Sequence, residues 1–348
     1  MNNKFFPSNF LFITIMIMGT LFSLSSSHWL TMWMGLELNL MGFLPLMNIK
    51  GKMLEAEASM KYFIIQSMSS SVLIISSVIM YSYSLSWYSM FTNTTISTLI
   101  MMSLVLKLGG APLHFWLPSI TKQMSWSILF LMLTWQKLAP LFMLALVNSN
   151  LFIMLMISML STIMGSLMAL NQTNIQLIMT YSSISHLGWM LSTISINSSL
   201  SMIYFTNYVI ISIPLMAMMS SHMGNHLFIL TQKNKINNMI IISLVLSLGG
   251  LPPLLGFMSK LIILITLINM KLMLLSLLLF FGTLISLYFY LNMSLMLMIK
   301  SYNTFYTQQY NTLFNPIVTL NMLSTFIVYP LVIMFIKYAM IILYKSQS

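Results

Sequence analysis

The sequence contains no cysteine, no arginine and no aspartate, and its charged residues are 14 lysines and 3 glutamates among 348 residues. Without cysteine the chain offers no disulfide, no thiolate metal site, no iron–sulfur ligand and no thiol nucleophile. Apolar residues dominate instead: 59% are hydrophobic, 5% are charged, and the mean hydropathy is +0.93. A soluble domain of this composition could not cover its surface with polar groups, so we predict an integral membrane protein.

Long apolar runs indicate how the chain crosses the membrane. Eleven runs of roughly 20 residues predict an all-α, polytopic bundle of transmembrane helices, because the strands of a membrane barrel are shorter and alternate in polarity. The first run has no clear small-residue cleavage site, so we interpret it as a helix and not as a signal peptide. The runs lie near residues 8–25, 29–48, 60–82, 96–121, 126–147, 150–170, 174–196, 200–222, 238–268, 272–299 and 317–343.

The loops and their lysines predict the topology. Short loops, the longest near 223–237 and 300–316, leave no room for a soluble catalytic domain. Lysine bias places the N-terminus on the positive, matrix- or cytoplasm-facing side, and an odd number of spans places the C-terminus opposite. Because the lysines do not cluster in a soluble region, no nucleic-acid partner is predicted. The N-terminal side holds Lys4, Lys50, Lys52, Lys61, Lys122, Lys233, Lys235 and Lys300, whereas Lys271 and Lys345 lie opposite.

A short segment occurs twice. Residues 104–112 read LVLKLGGAP and residues 244–252 read LVLSLGGLP, identical at seven of nine positions. A glycine pair followed by proline predicts a helix interrupted within the membrane. The second copy lies five predicted helices after the first, and an odd offset inverts it, as in many ion-coupled transporters. The alternative is that the motif recurs by composition and marks packing kinks only.

This repeat suggests how the chain is organised. We expect residues 1–348 to form a single membrane domain in which two broken helices, the fourth and the ninth, occupy equivalent positions. The inverted repeats are predicted near 29–147 and 174–268, with additional helices at 1–28, 150–170 and 272–343.

Four charged residues lie inside apolar runs: Glu37, Lys107, Lys137 and Lys260. A charge at the bilayer centre costs roughly 2.5–3.5 kcal/mol on insertion scales, so it normally faces a partner or water and marks an ion or proton path. We expect Glu37 to pair with Lys107. A buried lysine can accept and release a proton as its surroundings change. The alternative for each lysine is that its stem reaches the lipid headgroups.

Histidines supply a second set of candidates. His114 follows the first predicted break and His186 lies in a hydroxyl-rich run, and both could relay protons near neutral pH. The alternative is a structural histidine bonded to a neighbouring hydroxyl. His222 and His226 lie four residues apart in a polar stretch without a third ligand, so we predict no metal site.

The motifs around these residues resemble the NADH dehydrogenase subunit 2 family, the antiporter-like, proton-translocating membrane subunits of respiratory complex I. The resemblance runs nearly end to end, and the eleven predicted helices are similar to the shortened animal form. Abundant methionine without arginine or aspartate is typical of AU-rich mitochondrial coding. The motifs are residues 33–39 (WMGLELN), 106–118 (LKLGGAPLHFWLP), 135–137 (WQK), 185–189 (SHLGW) and 249–260 (GGLPPLLGFMSK).

The resemblance implies roles for these residues. Glu37 and Lys107 would form the interacting pair of one half-channel, Lys137 would carry the proton between half-channels, and Lys260 would lead to the exit. His186 would feed the central water path. One departure is Ser119, which replaces a proline after the Trp-Leu-Pro motif.

The resemblance also implies a setting. This chain would bind no cofactor, while NADH, FMN, iron–sulfur clusters and ubiquinone would belong to partner subunits. Its partners would be other membrane-arm subunits, including further antiporter-like ones, and lipids such as cardiolipin. It would lie in the inner mitochondrial membrane with its N-terminus in the matrix and its C-terminus in the intermembrane space. A stand-alone cation/proton antiporter and a structural membrane scaffold remain as alternatives.

Overall fold

A computed structural model describes residues 7–49, 51–84, 94–147, 150–194, 196–220, 235–252 and 254–303. Within these ranges the chain forms thirteen helices and no strand, which confirms the predicted all-α class. The helices are α1 (Pro7–Ser25), α2 (Trp29–Met47), α3 (Met53–Ser84), α4 (Thr94–Leu108), α5 (Trp116–Thr121), α6 (Trp126–Leu133), α7 (Trp135–Leu146), α8 (Leu151–Ala169), α9 (Ile175–Ile194), α10 (Ser198–Ser220), α11 (Lys235–Gly249), α12 (Leu255–Asn269) and α13 (Met273–Asn303).

Many of these helices have the length and composition of membrane spans. Among the described residues, seven stretches are long and apolar enough to cross a bilayer: α1, α2, α3, α6 with α7, α8, α10 and α13. The helices α4, α11 and α12 are apolar but shorter. Each predicted run up to residue 299 contains helix, and the run near 317–343 lies outside the described residues. The architecture is therefore a polytopic membrane bundle.

Two helices extend beyond their predicted runs. Helix α3 begins at Met53, seven residues before the apolar run, and α13 continues to Asn303 into the predicted loop. In α3 the first turn carries Glu55, a charge that suits a helix N-terminus. Glu57 and Lys61 then form an ion pair one turn apart. Helix α3 is thus longer than the apolar run predicts, because the polar residues before that run also favour a helix.

The chain divides into two compact units. The first comprises the residues up to Gly165 together with Gln176–Ser198, and the second comprises Ser166–Ile175 and the residues from Ser199 onward. In the first unit α1 packs along α2, α2 contacts α3, and α3 contacts α4 and α5. In the second unit α11, α12 and α13 pack against one another.

Glycines bring helices of the first unit into close contact. A Cβ added to Gly35 on α2 would lie 2.6 Å from the backbone nitrogen of Ser23 on α1. A Cβ added to Gly188 on α9 would lie only 2.4 Å from the hydroxyl of Ser161 on α8. Small residues at such contacts are typical of membrane helices, whose backbones approach closely where side chains are absent. The α8 contact therefore fixes the position of α9, the helix that carries His186.

Both predicted breaks are present. Helix α4 ends at Leu108 and α5 begins at Trp116, whereas α11 ends at Gly249 and α12 begins at Leu255. The backbone takes a left-handed conformation at Gly109 (φ 72°) in the first break and at Gly250 (φ 82°) in the second. A glycine tolerates this conformation without steric cost.

A third break was not predicted. The run expected as one helix over 126–147 is divided at Thr134, where α6 ends and α7 begins. Pro140 follows within α7, and its ring has no N–H to donate to the carbonyl of Gln136 and crowds that carbonyl. Pro140 was therefore the sequence signal for this break. The break at Thr134 lies shortly before Lys137.

Candidate functional site

The first break is held together by side chains from neighbouring helices. Helix α4 ends at Leu108, so its last carbonyls lack the regular helical donors, and Pro112 has no N–H to offer the carbonyl of Leu108. The indole of Trp116 donates to the carbonyl of Leu106 at 3.1 Å, and the amide of Gln66 on α3 donates to the carbonyl of Lys107 at 3.4 Å. These bonds position Lys107 in the final turn of α4, beside the interruption.

Glu37 and Lys107 are electrostatic partners. Lys107 is buried, with 8% of its surface exposed, and Glu37 on α2 is half-buried. Their charges are close enough to interact, although no direct ion pair joins them in the described part of the chain. One Glu37 carboxylate oxygen is buried without a hydrogen-bond partner among the described residues. The structure thus places the predicted pair near one another without a direct salt bridge between the described side chains.

Three uncharged polar side chains meet next to this pair. Asn39 Nδ2 donates to Gln136 Oε1 at 2.8 Å, and Gln136 Nε2 donates back to Asn39 Oδ1 at 3.1 Å. The hydroxyl of Tyr62 donates to the same Gln136 oxygen at 3.4 Å. The three residues come from α2, α7 and α3. Sequence reasoning missed them, although each is a polar residue inside an apolar run and Gln136 directly precedes Lys137.

A small polar cavity lies within this cluster. Its volume is about 20 Å³, which is enough for about one water molecule, and several polar groups surround it. Such a site can hold a water that several side chains bind at once. The lining residues are Leu36, Asn39, Leu40, Tyr62, Gln66, Lys107, Gln136 and Pro140.

Lys137 connects the cluster to α9. It is 2% exposed, and its ammonium donates to the backbone carbonyl of Ser183 at 3.0 Å. His186 lies three residues further along α9, on the same side of the helix, and is also buried. Lys137 thus reaches the hydroxyl-rich helix that carries His186, and a role of the two residues in one proton path stays a prediction.

His114 occupies a different environment. It lies between α4 and α5, is 1% exposed, and has a hydrogen bond with the backbone of Pro112. Its ring stacks against Phe115 with a centroid distance of 4.4 Å. These contacts are local, so a proton-relay role for His114 stays a prediction.

Lys260 lies at the second break, within the second unit. It is 7% exposed, and its ammonium donates to the carbonyls of Gly249 at 2.9 Å and Leu248 at 3.4 Å. In a continuous helix these carbonyls would accept from residues 252 and 253, but both are prolines and have no N–H. The lysine therefore supplies the donors that the sequence of the break removes.

Buried tyrosines lie beside this second break. Tyr290 on α13 packs against Gly249, where an added Cβ would lie 3.4 Å from its ring. Tyr204 and Tyr208 on α10 lie near it. Sequence reasoning did not single out these residues, since tyrosines are common in apolar runs. Within the described residues no three histidines and carboxylates come together as metal ligands, and His222 and His226 lie outside them.

Comparison with known proteins identifies the family. A family profile described as "NADH:quinone oxidoreductase/Mrp antiporter, TM" matches residues 26–286. The NADH-ubiquinone oxidoreductase chain 2 of Anopheles gambiae is 43% identical over 260 residues, which cover 73% of this chain and 75% of that protein. The chain therefore belongs to the NADH-ubiquinone oxidoreductase chain 2 family. The Locusta migratoria member of this family is 39% identical over 275 residues, covering 77% of this chain and 78% of the relative.

A solved structure supports the same fold. A chain of respiratory complex I from Thermus thermophilus superposes with a TM-score of 0.80 at 22% identity, covering 91% of this chain and 77% of that one. The segment that matches the family profile includes all six candidate residues, from Glu37 to Lys260. The family resemblance inferred from sequence motifs is thus confirmed.

Proposed function

We propose that this member of the chain 2 family is an antiporter-like subunit that moves protons across the inner mitochondrial membrane, coupled to NADH:ubiquinone electron transfer in partner subunits. The proposal rests mainly on one observation: Lys107, a water-sized cavity, Gln136 and Lys137 follow one another inside an otherwise apolar bundle. Buried ionisable groups in a membrane mark proton paths far more often than they mark structure, because burying each one is costly.

The proposed mechanism begins at Glu37 and Lys107. Energy from quinone reduction elsewhere in the complex would change the separation and hydration of this pair and so change how strongly Lys107 holds its proton. The released proton would pass to Lys137 and then to Lys260. His186, one turn from the Ser183 carbonyl that Lys137 contacts, would supply or accept protons along the central path. His114 is proposed as an additional relay beside the first break.

The remaining parts of the proposal concern the setting. The chain would contribute no redox group, since it has no cysteine and no nucleotide-binding motif, and NADH, FMN, iron–sulfur clusters and ubiquinone would be bound by partners. Further membrane-arm subunits and lipids such as cardiolipin would surround it. The lysine bias supports an N-terminus in the matrix. Inverted repeats near 29–147 and 174–268 would place the two broken helices in equivalent roles.

Native separation of gently solubilised membranes tests the assembly. We expect the chain to migrate with NADH-oxidising activity in one very large band, because the apolar surface that its described helices expose suits a place among other membrane subunits. Migration alone, or in a small oligomer without NADH oxidation, would instead favour an independent antiporter.

Substitution of Lys107 tests the proton path. In the assembled complex, Lys107→Met should lower the proton-to-electron ratio while electron transfer remains measurable, because the substitution removes an ionisable group and keeps an apolar side chain of similar length. Lys122→Met is the matched control, since Lys122 is exposed at the end of α5, and it should leave the ratio unchanged. An unaltered ratio in Lys107→Met, with reduced assembly only, would identify the lysine as structural.

A further inference from the structure

Two amide side chains line the cavity that Lys107 also lines, and one of them directly precedes Lys137 in the chain. Asn39 and Gln136 each donate a hydrogen bond to the other, at 2.8 Å and 3.1 Å, so the two amide groups bond directly to each other. Both line the cavity that Lys107 lines. Lys137 is the next residue after Gln136 but directs its ammonium to Ser183 on α9. The amide pair thus forms the part of the cavity wall that is connected through the backbone to Lys137.

The chemistry of an amide makes this wall a poor proton conductor. A water molecule or a hydroxyl can accept a proton on one side and release another, whereas an amide nitrogen only donates and an amide oxygen only accepts. A proton wire is therefore interrupted wherever amides bond directly to each other. The adjoining cavity has a volume of about 20 Å³ and holds about one water molecule. One water is too few to form a continuous file past the bonded amides.

We propose that the Asn39–Gln136 pair is a hydration gate between Lys107 and Lys137, and that its ligand is a short file of water molecules. The gate is closed when the amides bond to each other. It opens when they separate and water takes over their hydrogen bonds. Tyr62, whose hydroxyl donates to the Gln136 oxygen at 3.4 Å, is a positioning residue that holds Gln136 in the closed arrangement.

The open and closed states of such a gate differ little in free energy. Opening replaces amide–amide hydrogen bonds by amide–water bonds, and this exchange changes the total little because every group remains bonded. A modest movement of α2, which carries both Glu37 and Asn39, would therefore be sufficient. Since both residues belong to α2, a shift of this helix that follows a change in the Glu37–Lys107 interaction would also move Asn39. This use of the gate rests on the proposed function.

Proton leak through the assembled complex tests the gate without electron transfer. The complex is reconstituted into liposomes, and the decay of an imposed pH gradient is followed in the absence of NADH. We expect about tenfold faster decay in Asn39→Ala, equivalent to about 1.4 kcal/mol, because the closed state loses its bonds and water gains space. Leu38→Ala is the matched control, since Leu38 precedes Asn39 on α2 but is exposed and does not line the cavity, and its decay should match the wild type.

A length swap provides a second test if Asn39→Ala assembles poorly. Gln136→Asn keeps both amides but shortens one arm, so we expect faster decay. Adding Asn39→Gln restores the combined length and should restore the slow decay. The gate is overturned if neither single variant decays faster than the wild type, or if Leu38→Ala decays as fast as Asn39→Ala. A null result for Lys107→Met in pumping would overturn the proposed function and leave the gate intact, because the leak is measured separately.

Discussion

Lys137→Met is expected to stop proton translocation through this subunit, slowing transfer by roughly 10²–10⁴-fold, the usual contribution of a positioned proton donor or acceptor. Lys137 is 2% exposed, and its ammonium binds the Ser183 carbonyl, so water from outside cannot easily replace it. Methionine has a similar length and remains apolar, so packing should change little. The measurement is the proton-to-electron ratio of the reconstituted complex, with electron transfer recorded separately in the presence of an uncoupler.

Lys137→Arg separates a proton carrier from a structural cation. Arginine keeps the positive charge and can donate to the same carbonyl, but it does not lose its proton in proteins. A carrier role therefore predicts that the proton-to-electron ratio falls in both Lys137→Met and Lys137→Arg. Each rate is normalised to the amount of assembled complex. If Lys137→Arg pumps like the wild type, Lys137 is a fixed cation and the proposed path through it is wrong.

The sequence predicts those parts of the site whose physical signal is local. Lys107, Lys137 and Lys260 are conspicuous because a charge inside an apolar run is costly wherever the chain folds. The two breaks are conspicuous because Gly-Gly-x-Pro limits a helix through its own backbone chemistry. Neither inference requires knowledge of which helices are neighbours. The all-α class follows in the same way from the length of the apolar runs.

The amide gate could not be predicted, because its signal is not local. Asn39 and Gln136 are 97 residues apart and meet only when α2 packs near α7. Single uncharged polar residues occur in many of the apolar runs, and most bond to their own helix, as Ser76 and Thr266 do. Only the tertiary arrangement distinguishes the two amides from these residues.

The two copies of the repeat also show what sequence identity does not determine. They are identical at seven of nine positions, yet the left-handed glycine is Gly109 in the first and Gly250 in the second, one repeat position later. At the first break, Gln66 on α3 and Trp116 on α5 donate to the carbonyls of Lys107 and Leu106. At the second, Lys260 donates to the carbonyl of Gly249. Tertiary partners, which the repeat itself does not encode, therefore decide where each helix stops.

Gly256→Ala is expected to keep most molecules of this protein from being incorporated into the assembled complex. Gly256 lies at the start of α12, where an added Cβ would overlap the backbone carbonyl oxygen of Ser247 on α11. A backbone oxygen cannot rotate away as a side chain can, so the helices must separate. Overpacking of this kind costs about 1–3 kcal/mol or more. Lys260 lies four residues later on the same face of α12, and separation would withdraw its ammonium from Gly249.

Gly249→Ala is the matched control for this substitution. It adds the same methyl group at the same break, but the nearest atom belongs to the Tyr290 ring at 3.4 Å, an ordinary contact with a side chain that can shift. We expect near-normal amounts of assembled complex on a native gel for Gly249→Ala and a large loss for Gly256→Ala, with lower thermal stability in the remainder. Equal assembly of the two variants would mean that α11 and α12 are not in backbone contact. The position of the Lys260 ammonium at the break would then not depend on the packing of α12 against α11.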